Sequence, residues 1–117
     1  MKIHFAGRSC RFPGASSVEA FAQMLFEGRC AVSETPADRW RKDQFAHPVP
    51  GTPGRTYSFA AGTIDDHDAF DPAVFGISPR EAEYMDPQQR ILLHVVREAL
   101  EDACLKPAEL AGKNVGV

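Results

Sequence analysis

Cys10 stands between Arg8 and Arg11, and flanking cations favour the thiolate, the form in which a cysteine attacks. A nucleophile also needs a positioned base, and no histidine stands beside it. Cys30 and Cys104 read as small apolar residues. A second cluster, Asp65-Asp66-His67-Asp68 with Asp71 close by, offers oxygen and nitrogen ligands in a short run. Its spacing fits neither an EF-hand loop, which needs glycine at the sixth position, nor a His-x-x-x-His helical pair. It reads as a solvated acidic loop leading into the next segment. His4 on a strand and His94 on the polar side of a helix form no dyad. The residue pattern therefore predicts no catalytic, cofactor-binding or metal site in this chain.

The composition bounds the setting. The 117 residues are 44% hydrophobic and 25% charged, a globular balance, with room for one small domain or part of a larger one. A formal net charge of −3 gives no reason to expect nucleic acid or an anionic membrane as partner. Lys2, His4, Arg8 and Arg11 interrupt any signal-peptide-like run, and no apolar stretch approaches the ~20 residues of a membrane span. Three widely spaced cysteines without a C-x-x-C pair fit reduced thiols in a cytoplasmic protein.

The elements that must position these residues are unevenly legible. Lys2 to Ala6 reads as a short strand ending at Gly7, followed by a loop with a Pro13-Gly14 turn. A helix over about 17–27 follows, with Ser16 and Glu19 in capping-box spacing, an apolar face of Val18, Phe21, Ala22 and Leu25, and Gly28 to close it. From Cys30 to Phe59, prolines and glycines break any long element, with room for a turn of helix near Trp40. Trp40, Phe45, Tyr57 and Phe59 are expected to pack onto something. Ser78-Pro79-Arg80-Glu81 and Asp86-Pro87-Gln88-Gln89 are tandem helix starts: a capping side chain, proline at the first helical position, then Glu81 or Gln89 to complete the cap. They predict helices over about 79–85 and 87–103. The second carries a wide stripe of Ile91, Leu92, Val95, Val96, Ala99, Leu100 and Ala103. Arg90, His94, Arg97, Glu98, Glu101 and Asp102 occupy its other side, and Asn114 to Val117 reads as the start of a strand. So little sheet around mostly helical and irregular material predicts an α/β piece of a larger fold.

Four blocks then point to a family: SCRFPGASSVEAF, PADRW, FDPAVFGISPREAEYMDPQQRILL and EALEDACLKP. In order and spacing they closely resemble the start of the β-ketoacyl synthase (ketosynthase) domain of modular type I polyketide synthases, over Ile3 to Val117. The resemblance implies that residues 1–117 are the N-terminal portion of a thiolase-like fold that works as a homodimer. It implies decarboxylative Claisen condensation of carrier-protein-bound acyl chains, in polyketide or fatty-acid-like biosynthesis. The family's catalytic cysteine and two histidines lie downstream, so no position here inherits those roles, and the chain alone is expected to be inactive. It binds no cofactor of its own; phosphopantetheine arrives as the substrate arm of the acyl carrier protein.

The implied partners are that carrier protein and the rest of the synthase polypeptide, with Arg80 as the candidate carrier-protein contact, opposed by Glu81 and Glu83. Arg90 would anchor a hydrogen-bond network with a neighbouring loop. The sequence departs from the family pattern at Arg8, His94, Arg97 and Cys104. Arg97 stands where an aromatic usually packs, which predicts a different neighbour or a paired guanidinium; Cys104 stands at a common glycine position. A second reading stays open: a short, catalytically empty ketosynthase-like module that pairs with a full-length synthase. An unmatched apolar stripe over Pro87–Ala103 predicts marginal stability and self-association of the isolated chain.

Overall fold

The longer helices begin on capping side chains visible in the sequence, Ser17, Ser78 and Asp86. In the computed structural model, which describes residues 3–116, α1 spans Val18–Phe26 and Ser17 Oγ accepts the Ala20 N–H at its start. The cap is therefore Ser17, and Ser16 instead turns its carbonyl toward Arg11. Gly28 closes α1 in the left-handed conformation (φ 63°), with Gly28 N–H bonding Leu25 O and Arg29 N–H bonding Met24 O. Met24 is the buried residue of α1, whereas Leu25, expected on its apolar face, is exposed.

The middle of the chain is held by short pairings. Strand β1 (Ser33–Glu34) runs antiparallel to β2 (Ala60–Ala61), with Ser33 opposite Ala61. A turn of helix, α2 (Lys42–Phe45), follows Trp40, whose ring packs between Phe45 and Phe59 at centroid distances of 5.7 and 5.6 Å. Of the four aromatics expected to pack, Phe45 and Phe59 thus both meet Trp40, while Tyr57 stays exposed.

A 3-10 turn, Pro72–Phe75, starts on Asp71 and ends on left-handed Gly76. Helix α3 (Pro79–Tyr84) starts on Ser78 and α4 (Pro87–Asp102) on Asp86. The last helix, α5 (Pro107–Leu110), is a single turn. Residues 3–6 and 114–116 form no strand, which corrects the expectation at both ends; Lys2 and Val117 lie outside the described residues. A strand exists only through a hydrogen-bonded neighbour, and none among the described residues reaches either segment. Ile3 and Phe5 are exposed as a result.

These elements do not close over a core. Only Ala15, Met24, Phe59 and Ala82 are buried hydrophobics among the described residues. The radius of gyration is 18.5 Å, against roughly 13 Å for a compact domain of about this length. Large apolar side chains instead line open faces, among them Phe26, Tyr84, Leu92 and Val96.

Candidate functional site

The densest polar contacts join the loop after Gly7 to one side of α4. Gly7 lies against the helix backbone: a Cβ placed there would sit 2.6 Å from Ala103 N and 2.8 Å from Ala103 Cβ. One residue on, Arg8 N–H donates to Asp102 Oδ2 at 2.9 Å. Ser9 Oγ donates to Glu98 Oε2 at 2.6 Å, and Arg11 Nη1 donates to the same oxygen at 2.8 Å. Arg11 Nη2 grips Glu98 Oε1, completing a two-pronged pair. The same guanidinium also donates to Cys10 O and Ser16 O, so it ties the loop, the start of α1 and α4 together.

Burial by itself would push the Glu98 carboxyl up, but the hydrogen bonds from Arg11 and Ser9, and the Arg11 charge, outweigh it and hold the group below its ordinary value. This knot positions structure; it holds no free nucleophile. Cys10 is half-buried beside it, and among the described residues its thiol has no hydrogen-bond partner, so no base is set on it.

Beside the knot is a concave cavity of about 470 Å³, walled by Arg11, Phe12, Ile64, Asp65, Ile91 and His94. Phe12 stacks on Phe21 at 4.3 Å and so pins α1 to this wall. His94 packs edge-to-face against Phe70 and Phe75, at 5.4 and 5.2 Å, and those two rings stack on each other at 5.2 Å. The polar side of α4 is therefore partly packed, whereas Leu92 and Val96 of its apolar stripe are exposed. Arg97 is paired: its Nε donates to Glu101 Oε1 at 2.8 Å, and its guanidinium lies 6.0 Å from the Phe75 ring centre.

The acidic run is tethered from outside, with Arg39 Nη2 2.6 Å from His67 Nδ1 and 2.7 Å from Ile64 O. Among the described residues, no three His, Cys, Asp or Glu side chains converge as a metal site would require.

The tandem caps are in place on their first members. Ser78 Oγ accepts Glu81 N–H at 3.2 Å and Asp86 Oδ1 accepts Gln88 N–H at 2.8 Å. Neither the Glu81 nor the Gln89 side chain returns a hydrogen bond to its cap, so both boxes are one-sided. Arg80 is exposed on α3 with no ion pair among the described residues. Arg90 Nε is buried and unpartnered, so the network expected of it is not made within the described residues.

The sequence model of the β-ketoacyl synthase N-terminal domain matches residues 2–117. The chain belongs to that family. It is 50% identical over 117 residues to the spectinabilin polyketide synthase system protein NorC of Streptomyces orinoci, of which it covers 5%. It is 49% identical over 117 residues to the polyketide synthase GfsA of Streptomyces halstedii, covering 2% of that protein.

Among solved structures, the oxazolomycin ketosynthase domain of Streptomyces albus superposes with a TM-score of 0.84 at 41% identity, over 92% of this chain and 19% of that one. A bacillaene synthase ketosynthase from Bacillus subtilis superposes at 0.77, with 39% identity, over 83% of this chain and 16% of that one. The chain thus has the fold of the N-terminal part of a thiolase-like ketosynthase domain and spans about a fifth of such a domain's length. Among the described residues, no helix is long and apolar enough to cross a membrane.

Helix periodicity alone places Glu98 on the solvent side of α4 and leaves Arg11 in a loop, so it misses the knot. The available signal is Glu98's place at the border of the apolar stripe, one helical turn past His94 and one before Asp102.

Proposed function

We propose that this chain is the N-terminal part of a polyketide synthase ketosynthase, supplying one edge of the thiolase-like core while the chemistry resides in the rest of the domain. The observation that carries this reading is the open architecture: a ketosynthase match over essentially the whole chain, combined with a radius of gyration of 18.5 Å and four buried hydrophobics. Such a surface needs more polypeptide to bury it. In this reading the complete domain, a homodimer, takes an acyl chain from the phosphopantetheine arm of an acyl carrier protein onto a cysteine. It then decarboxylates a malonyl-type extender on a carrier protein, and the resulting carbanion attacks the acyl thioester. Carbon dioxide and the enzyme thiol leave, and the C–C bond forms.

This chain's own contribution is positional. The Arg11–Glu98 knot fixes the loop after Gly7 against α4, and exposed Arg80 offers a cation on the short helix α3. A cation at the rim acts mainly on encounter with an acidic carrier protein.

The test is a chimera in which this chain replaces the equivalent segment of the 50%-identical relative's ketosynthase domain. Retained condensation supports the reading; a folded chimera that neither loads acyl groups nor condenses them contradicts it. In the same chimera, Arg80→Glu raises the carrier-protein KM if Arg80 docks it, and an unchanged KM removes Arg80 from that role.

A further inference from the structure

We propose that Arg39 and His67 form a pH-sensitive latch, which holds the acidic loop 62–69 closed while His67 is neutral and releases it when His67 is protonated. The latch stands on side-chain geometry and is independent of the function proposed above.

The loop has few holds of its own. Its one backbone–backbone hydrogen bond among the described residues is Ala69 N–H to Asp66 O, in a turn where Asp66 is left-handed (φ 51°). A residue with a Cβ is strained in that conformation, though aspartate tolerates it better than most. Among the described residues, the hydrogen bonds joining the loop to the rest of the chain come from a single nitrogen. Arg39 Nη2 lies 2.7 Å from Ile64 O and 2.6 Å from His67 Nδ1.

That geometry requires a neutral imidazole. A guanidinium only donates, so Nδ1 accepts and His67 is the Nε2–H tautomer. A proton on Nδ1 turns the acceptor into a donor and sets a second cation against the first. Histidine is the side chain that changes charge between about pH 5 and 8. The latch is therefore closed at the upper end of that window and open at the lower end.

The neighbouring charges favour release. Asp38 stands beside Arg39 on the turn 36–40, and Asp65, Asp66 and Asp68 flank His67 on the loop. Across the cavity that the loop borders are His94 and Arg11, the latter held by Glu98. No carboxylate pairs with His67 among the described residues, so Arg39 is its charged contact in the closed loop. Once protonated, the imidazolium has three carboxylates within two residues to turn to. The latch controls one wall of the cavity of about 470 Å³, which Ile64, Asp65, Asp66 and Ala69 line. Phe70, stacked on Phe75 and against His94, anchors the loop's far end.

The test is cleavage of the 117-residue chain by an aspartate-directed protease, with products assigned by mass. Unmodified chain, Arg39→Met and His67→Ala are compared with one another at about pH 7.5 and again at about pH 5.5, either side of histidine titration. At the higher pH both variants are expected to be cut within residues 65–68 about threefold faster than the unmodified chain, because local opening sets the rate. At the lower pH all three are expected to be cut there equally, with cleavage at Asp102 alike in all three at each pH. If one variant loses helical circular dichroism, the other carries the measurement. A folded variant cut no faster than the unmodified chain at the higher pH overturns the latch. So does an advantage of the unmodified chain that persists at the lower pH. Faster cutting at Asp102 to the same extent would mean general loosening, and would overturn it too.

Discussion

Arg11 and Glu98, 87 residues apart in the chain, meet in a two-pronged guanidinium–carboxylate pair that also takes in Ser9. Because Glu98 titrates below its ordinary value of 4.5, the folded state prefers the carboxylate. The stability it contributes is complete above about 4.5 and disappears as pH falls through the lower folded-state value. The pair is partly exposed, at 26% for Arg11 and 36% for Glu98, so screening limits its worth to about 1 kcal/mol. Glu98→Gln in the chimera is expected to lower the melting temperature slightly near neutral pH. It should also flatten the acid limb of the stability–pH profile. An unchanged acid limb would show that the pair contributes nothing.

Gly7 is where the loop touches α4 most closely, since a Cβ there would meet backbone and not the end of a flexible side chain. Gly7→Ala is expected to destabilise the chimera by about 1–3 kcal/mol through overpacking. A thermal melt checks this; a variant as stable as its parent would mean that the loop can lift off the helix at no cost.

Cys104 closes α4 in the left-handed region, at φ 55°, with its N–H on Glu101 O and the Leu105 N–H on Leu100 O. That closing turn suits glycine, and a residue with a Cβ is strained in it by roughly 1–2 kcal/mol. Cys104→Gly, which relieves that strain but loosens the unfolded chain, is expected to raise stability by up to about 1 kcal/mol. Urea midpoints of the two chimeras compare them, and a lower midpoint for the glycine variant would refute the strain.

The 117-residue chain by itself exposes Phe5, Phe26, Tyr84 and Leu92. Sedimentation velocity over a concentration series is expected to show species larger than monomer, because such faces associate. A monomer with a sharp cooperative melt would contradict this.

What could be read in the residues follows physical range. Ser78-Pro79 and Asp86-Pro87 announce their helices because capping is local, and α3 and α4 begin at those prolines. The ketosynthase resemblance rests on four blocks in order, and the match over residues 2–117 agrees with it. Strands β1 and β2 were not legible: two residues each leave no alternation to detect, and their pairing is set by the chain between them. The strands expected at the two ends do not form for the opposite reason, since residues such as Ile3 to Ala6 carry the pattern but meet no pairing neighbour among the described residues. Glu98 was misplaced because helix periodicity sorts residues into faces but does not say which face a distant loop will cover.

The most direct test of the central claim is an acyl-loading assay from a labelled acyl carrier protein, run in parallel on the 117-residue chain and on the chimera. The account predicts label and condensation product on the chimera and none on the short chain. Label on the short chain, removed by substituting Cys10, would place the chemistry within these residues and contradict the account.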